Sequence, residues 1–150
     1  MSKTWGALRR RLESCGDLRT RFAEAESPRF YWLSADRQTE LAAFGEIAAV
    51  ETRGPRRLAT AARRVAELLG RVAVTGDSAP PAAGPLVVGG FGFWDSAERD
   101  RLWAGYPALR FWLPAELRTR VGGTAYQLAL ESVARPLAPQ PTPRLTSSSS

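Results

Sequence analysis

Residues Pro85 to Trp94 read PLVVGGFGFW, and this stretch sets the frame for the rest of the chain. Pro85, Leu86, Val87 and Val88 include no polar residue to mark a wet face. Such a run predicts a strand covered on both sides. Gly89, Gly90 and Gly92 lack Cβ atoms, so a second backbone or a large side chain can approach closely. Phe91, Phe93 and Trp94 are the large side chains at hand. The glycines do not follow the GxxxxGK[ST] order of a phosphate-cradling loop, and no helix signal comes directly after them. The stretch is therefore expected to be a core strand with a bulge.

Downstream, Asp95 to Pro107 is a long connection in which Trp103 and Tyr106 are expected to pin to the core. Ala108 to Leu113 reads as a strand stopped by Pro114. Leu117, Thr119 and Val121 then alternate with Arg118 and Arg120, and Gly122-Gly123 is a hairpin signal. With Thr124, Tyr126, Leu128 and Leu130 on the return strand, this predicts an antiparallel hairpin with its arginines outward. Upstream, Thr75 to Gly84 is a loop by composition. Before it, Gly54-Pro55 opens a helix, with Pro55 at the first helical position and Gly70 as the stop. Leu58, Ala61/Ala62, Val65 and Leu68/Leu69 recur at helical spacing as its apolar face; Arg56, Arg57, Arg63, Arg64 and Glu67 take the other side.

Arg29 to Ser34 and Thr39 to Phe44 read as a hairpin around Ala35–Gln38, with a third strand over Glu46 to Arg53. Phe30 and Trp32 share one face, and Tyr31 and Leu33 the other, which predicts a sheet covered on both sides. Trp5 to Glu24 reads as one or two amphipathic helices. Leu8 and Leu12 are four apart, as are Leu18 and Phe22, and Gly16-Asp17 breaks or caps between them. Arg9-Arg10-Arg11 is read as a solvated helix side. The predicted organisation is a helical N-terminal segment over 1–26, an α+β region over 27–132 and a Pro/Ser-rich tail or linker over 133–150. That tail cannot bury enough surface to offset its ordering entropy, so disorder is expected.

At 150 residues and 44% apolar content, the chain suits one domain or part of a larger one. No apolar run is long enough to span a bilayer, and the N-terminus has no apolar signal-peptide core. Cys15 stands alone, so no internal disulfide can form and a cytoplasmic location is expected. The net charge of +6 is nearly all arginine, spread from Arg9 to Arg144 and often beside acids. That spread argues for solvated faces rather than a nucleic-acid footprint. Lys3 is the only lysine and there is no histidine, which excludes Ser–His and Cys–His pairs and imidazole metal ligands. Catalysis by this chain alone would rest on Asp, Glu, Tyr, Arg or Cys15, and no paired-carboxylate spacing stands out. No catalytic, cofactor-binding or metal-ligating residue is assigned.

The order of pieces carries a resemblance. RFYWLSADRQTELAAFG, the helix GPRRLATAARRVAELL, PLVVGGFGFW, WAGYP, RFWLP and the VGGTAY hairpin together resemble the N-terminal region of isochorismate synthases, over Arg29 to Leu130. These are chorismate-utilising enzymes, relatives of anthranilate, aminodeoxychorismate and salicylate synthases. The resemblance implies an α+β fold, mainly antiparallel sheet with packed helices, a partial version of the full fold. It implies Mg²⁺-dependent conversion of chorismate to isochorismate in the full-length family. There a lysine activates water, a glutamic acid assists the departing hydroxyl, and carboxylates hold the metal. The family's lysine lies in a KVVLAR-like strand after this region, and no such segment is found here. The expectation is an N-terminal portion, truncated or split, inactive alone and partnered by a missing or separately encoded C-terminal catalytic half. Chorismate would bind only in the complete enzyme, serving menaquinone, siderophore or salicylate synthesis; no membrane partner is expected. Ala129-Leu130-Glu131-Ser132 resembles the LLES motif of anthranilate synthases, but it sits too far along the chain and its first residue differs. The alternatives are another chorismate-utilising enzyme, such as anthranilate or salicylate synthase, and a non-enzymatic module that binds an acidic partner through arginines.

Overall fold

The structure, a computed structural model, describes residues 3–93 and 105–132. Nine strands and two helices follow the order β1 Trp5–Leu12, α1 Leu18–Glu24, β2 Arg29–Leu33, β3 Thr39–Phe44, β4 Ala48–Thr52, α2 Arg57–Leu69, β5 Val72–Gly76, β6 Val88–Phe91, β7 Leu109–Leu113, β8 Glu116–Val121 and β9 Thr124–Ser132. They form a six-stranded sheet, β2-β3-β8-β9-β1-β5, and a three-stranded sheet, β4-β7-β6. Every pairing is antiparallel except β1 with β5. The expected α+β class, mainly antiparallel, is what the chain adopts.

The predicted hairpins are present. Thr39–Phe44 returns along Arg29–Leu33, and β8 and β9 meet at Gly122-Gly123. Both glycines have positive φ, +55° and +86°, which suits a two-residue hairpin turn. β4 and β7 fall where strands were expected.

The N-terminal reading is corrected. Trp5–Leu12 is an interior strand of the six-stranded sheet, next to its β5 edge, not a helix. It pairs with β9 over eight residues and with β5 over five. The Leu8/Leu12 spacing is helical, but the backbone groups of β1 are taken up on both sides, and tertiary pairing overrides the local preference. Leu8 is consequently half exposed while Trp5 and Ala7 are buried. The second half of that reading holds: Asp17 caps α1 through Oδ1, which accepts from the backbone N–H groups of Arg19 and Thr20. Arg29 closes the other end by donating to the carbonyls of Phe22, Ala23 and Ala25.

Three smaller corrections follow. α2 begins at Arg57, not Pro55: Gly54 has φ +86° and its carbonyl accepts from Arg57, so Pro55 sits in the turn before the helix. The loop read over Thr75–Gly84 gives its first two residues to β5, and Pro81–Ala83 forms one 3-10 turn. Of the aromatics expected in the core, Trp32 is half exposed because β2 is an edge strand, and Tyr106 is exposed. Trp94, Trp103 and the tail over 133–150 lie outside the described residues.

One core joins the inner face of the large sheet, the small sheet and α2. Trp5, Ala7, Leu41, Ala43, Leu117 and Leu128 meet Val50, Val88, Leu109 and Leu113, with Ala61 and Leu68 from the helix. Phe30 reaches across edge-on to Trp112, ring centroids 6.3 Å apart. A second, smaller cluster lies on the opposite face of the large sheet, where α1 brings Leu18 onto Ala42 and Ala125, beside Cys15.

Candidate functional site

That second face carries the densest polar network among the described residues. Strand alternation builds it. Glu116, Arg118 and Arg120 are two apart on β8, so they share a face, and register places Glu40 opposite Arg120 and Gln127 opposite Arg118. Glu116 accepts from Arg118 Nε, from Arg21 Nη2 at 3.2 Å and from Gln127 Nε2 at 3.3 Å. Gln127 Oε1 in turn accepts from Arg10 Nη2 at 2.8 Å. Glu40 accepts from Arg120 Nη1 and, at 2.6 Å, from the Tyr31 hydroxyl. Arg120 Nη2 also donates to the Gly16 carbonyl at 2.7 Å and lies 3.3 Å from Cys15 Sγ.

Glu40 and Glu116 are the two part-buried carboxylates among the described residues, and each is held by arginine. A carboxylate held by guanidinium has lone pairs committed to that partner, so it is poorly placed as a general base. Burial, followed by the hydrogen bond to Glu40, raises the Tyr31 hydroxyl above its ordinary value of 10.0. Folding therefore favours the protonated phenol. Its contribution to stability is full below pH 10 and is lost as pH rises through the raised value. The urea midpoint is expected to fall more steeply between pH 9 and pH 11 in the parent chain than in Tyr31→Phe; parallel slopes would show that Tyr31 carries no such linkage.

A second cluster braces the small sheet. Arg110 on β7 donates to Glu46 and, at 2.9 Å, to Glu51 on β4, and its guanidinium stacks 5.5 Å from the Trp112 ring centroid. The hydrogen bond to Glu46, then that to Glu51, outweighs burial and holds Arg110 further into its charged range. No group of three or more His, Cys, Asp or Glu suited to a metal ion occurs among the described residues.

The glycine stretch is placed as scaffold. At Gly89 a Cβ would lie 2.1 Å from the Arg110 carbonyl oxygen, so the close backbone approach expected there is real. Gly90 faces open space instead. The expected double cover is corrected: β6 is an edge strand, Phe91 is 56% exposed and Phe93 wholly so. The Glu40–Arg120 pairing went unread in the sequence because it depends on a β3–β8 register that no local pattern encodes; the Glu116–Arg118 pairing lies within β8 and was overlooked. The Glu-x-Arg-x-Arg spacing of β8 was the available signal.

Two layered, mainly antiparallel sheets with few helices and a face of arginine-bound carboxylates define an α+β architecture. A family model described as "Chorismate binding enzyme" matches residues 14–138, so the chain belongs to the chorismate binding enzyme family. No curated protein and no solved structure matches it. The Mg²⁺ that the resemblance to isochorismate synthases implies finds no ligand set among the described residues, where the part-buried carboxylates Glu40 and Glu116 are committed to arginine. No helix among those residues is long and apolar enough to cross a membrane.

Proposed function

We propose that this chain is the N-terminal scaffold of an isochorismate synthase and acts with a C-terminal catalytic half that supplies base, acid and Mg²⁺ ligands. The observation that carries this reading is the commitment of Glu40 and Glu116 to Arg120 and to Arg118 with Arg21. Exchange of a ring hydroxyl for water needs a base to take a proton from the water and an acid to give one to the departing hydroxide. Here the part-buried acids are occupied, and Lys3, the one lysine, lies ahead of β1 on the exposed surface. The order of segments from RFYWLS to VGGTAY supports the isochorismate branch over its relatives.

The test is a product assay with chorismate and Mg²⁺, followed by chromatography. The purified chain alone is expected to form no isochorismate. Mixed with a separately expressed C-terminal region of an isochorismate synthase, it is expected to restore turnover. Turnover by the chain alone, or none after mixing, would overturn the proposal. Anthranilate or salicylate as product would move the chain to those branches.

A further inference from the structure

The two sheets expose four edge strands among the described residues, and three of them are guarded. β2 follows Pro28 and begins with Arg29, whose guanidinium is tied to the end of α1. β4 carries Glu51, paired to Arg110. β5 is followed by Asp77, whose carboxylate accepts from the Arg11 N–H while Arg9 Nε donates to its carbonyl. Charge and proline are the usual protections of an edge. β6, Val88-Gly89-Gly90-Phe91, has neither.

Among the described residues, the edge of β6 is also chemically open. Gly92 N–H donates to the Ala108 carbonyl, and antiparallel pairing alternates, so Val88 and Gly90 direct their backbone groups to β7. Those of Gly89 and Phe91 point away from it. Phe91 and Phe93 add exposed apolar surface at the same place. The end of the strand is basic. Arg57 Nη2 donates to the Gly92 carbonyl at 3.0 Å, which brings the Arg53–Arg57 turn beside it. Arg53 and Arg56 have no acidic partner among the described residues.

We propose that the β6 edge, with Phe91, Phe93, Arg53 and Arg56, docks an extended, carboxylate-bearing strand of the polypeptide that supplies the catalytic groups. This rests on the scaffold reading above. Main-chain pairing to Gly89 and Phe91 gives the register, alternate apolar side chains cover the phenylalanines, and carboxylates meet the arginines. A second copy of this chain fits less well, because each copy carries +6.

Two probes test the proposal on the full chain. The first is an acetylated octapeptide of alternating valine and glutamate, followed by amide hydrogen exchange. Exchange at Gly89 and Phe91 is expected to slow at least tenfold at saturating peptide. Phe91→Lys and, separately, Phe93→Lys should weaken binding tenfold or more; both sites are exposed, and circular dichroism checks the fold. Arg53→Glu with Arg56→Glu should weaken it similarly, and a valine–lysine peptide should not bind. The proposal fails if the acidic peptide leaves both amides unchanged, or protects β2 or β5 instead. It fails too if both amides are protected before any addition, or if sedimentation shows a dimer that Phe91→Lys dissociates. The second probe is the separately expressed C-terminal region. Restored turnover with protection away from β6 would overturn the docking site and leave the scaffold reading standing. Peptide binding at β6 without restored turnover would support the site and sink the scaffold reading.

Discussion

Gly89→Ala is expected to destabilise the protein by about 3 kcal/mol, through backbone strain and an overlap that no side-chain rotation can relieve. The new Cβ would lie 2.1 Å from the Arg110 carbonyl oxygen and 2.8 Å from Phe111 Cα, and both are backbone atoms of the paired strand. Gly89 also has φ +153°, a conformation that residues with a Cβ rarely adopt. Relief requires β6 to lift from β7, opening the small sheet at its edge. Gly90→Ala is the matched control: its Cβ meets nothing within 4 Å, so its effect should stay within about 0.5 kcal/mol. Urea unfolding of both variants reads the difference. Equal midpoints would mean that Gly89 is not held against Arg110.

Leu117→Ala is expected to cost about 3 kcal/mol, a large share of the total stability of about 5–15 kcal/mol for a domain of this kind. Leu117 is 1% exposed, on the inner face of the central strand β8. With Leu128 it encloses Gly84, where an added Cβ would lie 2.9 Å from one leucine and 3.0 Å from the other. A cavity there is bounded by a turn on one side and a sheet on the other, so collapse is limited. The melting temperature should drop by roughly 10 °C. Leu8→Ala, at a position 49% exposed, should cost under about 1 kcal/mol. A Leu117 variant that melts with the parent would show that the two sheets do not share one core.

The residues that signalled correctly were those whose geometry is local. Gly122-Gly123 needs positive φ at both positions, and only a hairpin of that type asks for it. The alternation of Leu117 and Thr119 with Arg118 and Arg120 gave the faces of β8. The α2 periodicity survived at Ala61 and Leu68, about two turns apart, but not at Leu58, which is 48% exposed at the start of the helix. Failures came where partners are distant in sequence. Trp5–Leu12 has helix-forming residues at helical spacing, and only β9 and β5 make it a strand. Phe91 and Phe93 looked like core because apolarity does not reveal which strand will lie at an edge. The arginine-bound carboxylates were hidden for the same reason: Glu40 and Arg120 are 80 residues apart in the chain.

The placement of β1 has a consequence for synthesis. Trp5 pairs with Val72 on one side and with Ser132 on the other. On a ribosome, then, this interior strand of the large sheet emerges before both its neighbours and waits longest for the second. A lag of 127 residues between Trp5 and Ser132 corresponds to about 6–25 s at ordinary translation speeds of roughly 5–20 residues per second. Hairpins β2–β3 and β4 with α2 can form in that interval, but the six-stranded sheet cannot close. The nascent chain therefore carries an apolar strand, Trp5-Gly6-Ala7-Leu8, that has no partner until β5 emerges and stays open on its other side until β9 does, and it is in that window that a holding chaperone has the most to protect.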